Sequence, residues 1–238
     1  MEIKERNLKC IHCLRDLIDQ NEVTMDHILP RSWYPDNTPE NLEKWKAPAC
    51  FDCNNRLSKV EQELLLTLPL CINPTKAEAS GMTKRALASL GVGVDVKTMD
   101  SDEYKHRRGK LAKIIANAKP FDGKSTPFPN FGVHEGFPAN EHMTIKLPDV
   151  KAFADKVIRG IEYKIGDRYI EEPYSVNVYF REKNEITFVE ELFKKVSIVE
   201  RGPGFVIQRG YSNEDSGTVL MKVTIWGTFV IYGSILKR

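Results

Sequence analysis

No stretch of the chain stays apolar for the roughly 18 residues needed to cross a bilayer, so no membrane span is expected. The opening residues, MEIKERNLKC, are charged and lack an apolar centre. They do not read as a secretory signal, and a cytoplasmic protein is expected. The chain also lacks internal repeats and low-complexity tracts. Charge of one sign is missing too: 35 basic against 33 acidic residues leave +2, too little to argue for nucleic acid by itself. A hydrophobic share of 41% excludes wholesale disorder. A chain of 238 residues is long enough for one or two domains with a full core.

Cysteine is scarce, and its placement is informative. Of five cysteines, Cys10, Cys13, Cys50 and Cys53 form two CxxC pairs with 36 residues between them. In a cytosolic chain such pairs are metal ligands more often than disulfides. Each pair brings two thiolates onto one tight knuckle, half of a tetrahedral zinc shell. Two knuckles close the shell and leave no position for water, so a structural Zn²⁺ is expected. Binding of that kind is worth on the order of 10–16 kcal/mol, enough to hold a segment too small to fold alone. Cys71, in LPLCIN, reads as a small packed residue. His12 lies between two ligands and is expected to point away from the metal.

Four regions follow from the pattern. Residues 1–70 contain the zinc-framed unit: EVTMDHIL as a short strand ended by Pro30, a long loop rich in turn residues, EKWKAPAC as an edge strand carrying Pro48, and a helix from Phe51 to Pro69. Leu57, Val60 and Leu64 recur at helical spacing along that helix. Residues 71–119 read as helical, with an interruption at Gly81. The run from Lys105 to Lys119 holds six Lys/Arg and no acid, either a solvated helix face or a phosphate-contacting surface. Residues 120–148, with five prolines and three glycines, read as a linker or irregular excursion. In 149–238 an amphipathic helix with Val150, Phe153, Val157 and Ile161 on one face precedes strand-like runs, YSVNVYF, EITFVEELF, GFVIQRGY and a long run broken near Gly227. Helix followed by strands in series suggests an antiparallel α+β domain. The whole chain is therefore expected to be α+β.

Between the knuckles stand Asp26, His27 and Asn41, and Asn54 follows the last ligand cysteine directly. Together CIHC, DHILP, ENL and CFDCNN resemble the HNH family of ββα-metal nucleases, over about residues 10–60. The order and spacing of four separate elements carry the likeness, where a lone Asp-His would not. The resemblance implies a DNA endonuclease that nicks or cuts both strands. His27 would act as general base, a role suited to a neutral imidazole near pH 7. Asp26 and Asn54 would hold Mg²⁺ or Mn²⁺ through oxygen, with Asn55 as the neighbouring alternative ligand. Asn41 would orient the backbone near His27. Arg31, Arg56 and Lys59 are candidate DNA contacts, or ordinary surface charges. Trp33, Tyr34 and Trp45 read as packing more readily than as DNA contacts.

A geometric difficulty attends this set. Neighbouring residues of a regular strand point to opposite faces, so Asp26 and His27 share a site only where the strand bulges or ends. The alternative reading is a zinc-stabilised module that binds nucleic acid or protein without cutting. Retention of Asp26, His27 and Asn54 together favours the enzyme. Nucleases of this kind commonly serve restriction, phage defence or a mobile element, and the resemblance extends that expectation here. Residues 149–238 carry no recognised motif. They are expected to bind a DNA feature, form a homodimer or dock a regulatory partner.

Overall fold

Apolar residues at every second position of 219–225 force that segment to bury one face, and its neighbours do the same. The result, in the computed structural model, is a five-stranded antiparallel sheet in the order β5 (Tyr174–Tyr179), β9 (Phe229–Lys237), β8 (Val219–Ile225), β7 (Phe205–Tyr211) and β6 (Ile198–Glu200). The structure describes residues 8–19, 22–95, 97, 99–120, 143–144, 149–179 and 186–238. Val219, Met221, Val223 and Ile225 are fully buried, with Phe205, Ile207, Ile231 and Ile235 beside them. The long run breaks where expected: Trp226 and Gly227 both take positive φ, the geometry of a tight turn that suits the strand twist.

The N-terminal segment pairs β1 (Val23–His27) with β2 (Lys46–Cys50) in an antiparallel two-stranded sheet, followed at once by α1 (Phe51–Thr67). Leu57 and Leu64 face inward from α1, as their spacing predicts, and Val60 packs partly against the same core. A short 3-10 turn, Leu68–Leu70, then ends at the buried Cys71. Two helices follow, α2 (Met82–Ser89) and α3 (Ser101–Asn117). The basic α3 buries no residue; Asp100 caps its start by accepting from the backbone N–H of Asp102 and Glu103. Two residues each of β3 (Lys119–Pro120) and β4 (Met143–Thr144) pair beyond it. Most of the predicted 120–148 excursion lies outside the described residues.

The element that ties the molecule together is α4 (Val150–Ile165), capped by Asp149. Its sequence shows one apolar face, but the structure buries it on several sides, including Ala154, Ile158 and Gly160 as well as the predicted stripe. One side lies on the large sheet: a Cβ at Gly233 would come within 2.6 Å of Ile158. Another side lies on the loop after β1, where a Cβ at Gly160 would meet Ile28 at 2.7 Å. Glycine at both positions lets the elements approach this closely. Trp33 stacks against Phe153 of α4 and against Trp226, at centroid distances of 4.5 and 5.0 Å, and the Trp226 indole N–H donates to the Trp33 carbonyl at 2.8 Å. Buried residues of both chain halves therefore form one continuous core. Trp33 and Tyr34 are packing residues within it, and Trp45 is partly buried under the Arg201 guanidinium.

One predicted element is corrected. EITFVEELF, read as a strand, forms the helix α5 (Ile186–Phe193). A short apolar run does not distinguish strand from helix by itself. The helix lets Phe193 enter the core while Glu190 reaches the sheet, where Lys222 pairs with it at 2.5 Å and the Tyr232 hydroxyl donates to it. Among the described residues no helix is long and apolar enough to cross a membrane.

Candidate active site

The two knuckles meet. Cys10 and Cys13 sit on a turn closed by a hydrogen bond from the Leu14 N–H to the Cys10 carbonyl, 2.9 Å, while Cys50 ends β2 and Cys53 lies in the first turn of α1. Their four ligand atoms all lie within 4.8 Å of one another, and the Cys13 and Cys50 sulfurs are 3.9 Å apart. Thiolates around a tetrahedral zinc at about 2.3 Å stand about 3.8 Å apart, so this donor set fits Zn²⁺. Leu17, Ala49 and Val23 pack around the knuckles as a small apolar cluster of their own.

Beside this cluster, β1 and α1 enclose a cleft of ≈ 490 Å³ lined by Asp26, His27, Pro30, Arg31, Ser32, Asn54, Ser58, Glu61 and Gln62. The pairing of β1 with β2 is one-to-one from Val23↔Cys50 to His27↔Lys46, so the strand carries no bulge. His27 is its last residue. The chain turns away there through Ile28 and Leu29, and this ending allows adjacent side chains to line one cleft. On α1, Asn54, Ser58 and Glu61 follow at spacings of four and three and so share a helix face. Asn55 lies a residue further round, is exposed, and does not line the cleft.

Three charged or polar side chains that the sequence did not single out complete the site. His12, read as pointing away from the metal, turns its Nε2 to Asp26 Oδ2 at 3.2 Å. A carboxylate only accepts, so Nε2 carries the proton. Lys156, from the middle of α4, donates to Asp26 Oδ1 at 2.8 Å and also to Glu61 Oε1. Its side chain is only 1% exposed and Asp26 only 6%. Burial works against charge on Asp26, but the His12 hydrogen bond and the Lys156 ammonium outweigh it and hold the carboxyl below its usual range. At Glu61 the balance tips the other way: burial pushes the carboxyl up to about 7, against the pull of Lys156. Burial, with repulsion from Lys46, also holds the His27 imidazole below its ordinary value.

His27 has a second outlook. Together with Arg31 it lines an adjoining cleft of ≈ 470 Å³ whose walls carry Lys44, Lys46 and Lys164, with Met25, Leu42 and Glu43. His27 thus stands between a carboxylate-and-amide wall and a basic one. Of the candidate DNA contacts, Arg31 belongs to both clefts. Arg56 and Lys59 are exposed on other faces of α1 and line neither. Asn41 occupies an exposed turn closed from the Leu42 N–H to the Pro39 carbonyl, and its side chain makes no hydrogen bond to the His27 loop among the described residues. The backbone after His27 is held instead by the Ile28 N–H, which donates to the Trp45 carbonyl at 3.0 Å.

The HNH endonuclease family model matches residues 10–59, from the first knuckle cysteine into α1. That match supports nuclease-type chemistry on nucleic acid. No curated protein and no solved structure matches the chain.

Proposed function

We propose that the chain is a metal-dependent endonuclease that hydrolyses DNA phosphodiester bonds with a water activated by His27. The observation that carries this reading is the convergence of Asp26, His27 and Asn54 on one cleft, beside four cysteines arranged for zinc. His27 takes the proton of the attacking water; burial and the nearby Lys46 favour the neutral imidazole that this requires. Asp26 and Asn54 offer hard oxygen donors of the kind Mg²⁺ or Mn²⁺ accepts, and the open cleft leaves room for waters and a phosphate. A divalent cation held there would stabilise the charge that develops on the departing 3′ oxygen. Arg31 and the lysines of the adjoining cleft grip neighbouring phosphates, contacts that position the backbone without reading sequence. The exposed, basic α3 is a further candidate for phosphate contact. Asn41, on its exposed turn, takes no part in proton transfer in this proposal.

The test is incubation of supercoiled plasmid with the purified protein in Mg²⁺ or Mn²⁺. Conversion to nicked or linear DNA is expected, lost on addition of EDTA and reduced about 10²–10⁴-fold by His27→Ala with zinc content unchanged. A folded, zinc-loaded protein that leaves the plasmid intact would refute the reading in favour of a module that binds without cutting.

A further inference from the structure

Two carboxylates reach the cleft, Asp26 and Glu61, and a pair of carboxylates is what a divalent cation would bridge. The gap between them is filled. Lys156 Nζ stands 2.8 Å from Asp26 Oδ1 and donates to Glu61 Oε1 as well. The ammonium is fixed by the fold: α4 is clamped between Ile28 and the large sheet, and the Lys156 side chain is 1% exposed. The other Asp26 oxygen already accepts from His12, so the carboxylate is held from two directions.

We propose that Lys156 is a positioning residue for the cleavage reaction. By occupying the space between Asp26 and Glu61 it bars a cation from bridging them, and it confines the cation to the side of Asp26 shared with Asn54 and His27. This inference rests on the nuclease reading above. The physical argument is one of charge and space. Without the lysine, two carboxyl groups face each other across an empty gap, a pair of oxygen ligands that draws a doubly charged cation away from the histidine. With it, Glu61 is engaged and Asp26 keeps only its cleft side for a metal. An ammonium that merely neutralised two buried carboxylates would contribute to folding and weaken cation binding, but its removal would leave the rate of cleavage at saturating Mn²⁺ where it was.

The test compares the zinc-loaded wild-type chain with Lys156→Met and Lys156→Arg, by calorimetric titration of Mn²⁺ without DNA and by plasmid cleavage at saturating Mn²⁺. Lys156→Met is expected to bind Mn²⁺ about tenfold or more tightly and yet to cleave about 10–100-fold more slowly. Lys156→Arg, which keeps the charge, is expected to bind Mn²⁺ as the wild type does. Unchanged Mn²⁺ affinity in Lys156→Met, or cleavage at the wild-type rate, would overturn the proposal. Lys156→Gln keeps a hydrogen-bonding side chain in the gap and carries the same two readouts where Lys156→Met fails to fold. Absence of cleavage by the wild type would count against the nuclease reading, and the Mn²⁺ titration then still decides whether Lys156 governs cation binding at Asp26.

Discussion

Glu162→Gln should lower the stability of this protein by about 3 kcal/mol while leaving its room-temperature chemistry in place. Glu162 lies in α4 with a fully buried side chain, on the strength of two guanidinium groups. Arg209 donates through Nε to Oε2 at 2.9 Å and through Nη2 to Oε1 at 3.0 Å, and Arg168 Nε donates to Oε1 at 2.7 Å. Glutamine preserves the shape but removes the charge and turns an N–H₂ group toward donors. Breaking a buried pair in this way costs about 3–5 kcal/mol. The arginines remain 27% and 15% exposed, so water reaches them and the lower end applies. For a chain of this length the melting temperature should fall by about 6–12 °C.

The pH dependence of this effect has a definite sign. Burial disfavours the charged Glu162, but the bonds to Arg209 and Arg168 outweigh it and depress the folded-state pKa. The group therefore contributes stability above its unfolded value of about 4.3. That contribution disappears as the pH falls through the folded value. Urea titrations of both proteins at pH 7 and at successively lower pH measure this directly. The gap between them should be widest at pH 7 and close on acidification. A variant within about 0.5 kcal/mol of the wild type at pH 7 would refute the reasoning, since that is the scatter of an ordinary surface change.

Two more outcomes are expected. Cys50→Ser should release the metal and unfold the knuckle region, seen as loss of zinc by elemental analysis with a collapsed thermal transition; a stable, active variant would rule out the zinc assignment. Cleavage should rise with pH as His27 loses its proton. Because burial and Lys46 hold that imidazole down, the half-maximal point should fall below about 6.5, and a midpoint above that value would count against His27 as the base.

Much of this architecture is legible in the sequence because it is local. The CxxC spacing announces the knuckles, Pro30 follows the end of β1, Pro48 marks β2 as an edge strand, and the α4 stripe is visible in Val150, Phe153, Val157 and Ile161. Helix phase separates Asn54 from Asn55 by the face each occupies. With Leu57 and Leu64 turned inward, Asn55 falls nearly opposite the core and Asn54 at its flank. The reading fails where local pattern is degenerate or the partner is distant. EITFVEELF is short and rich in β-branched and aromatic residues, and its helical state is decided by what Phe193 and Glu190 touch. Lys156 sits at the flank of an apolar stripe, where a lysine usually extends into solvent. Nothing in its neighbours reveals carboxylates 130 and 95 residues away. His12 is equally silent, since a residue between two metal ligands has no pattern to break.

The clamping of α4 against Ile28 has a consequence in time. During synthesis the knuckles and both walls of the cleft leave the ribosome well before the helix that backs them. The 130 residues from Asp26 to Lys156 take roughly 7–26 s to make at ordinary rates of elongation. Throughout that interval Trp33 has neither Phe153 nor Trp226 to stack on, and Ile28 faces water. A nascent chain therefore exposes apolar surface around an unfinished centre. The late arrival of α4 acts as a built-in delay between translating the cleft residues and assembling them.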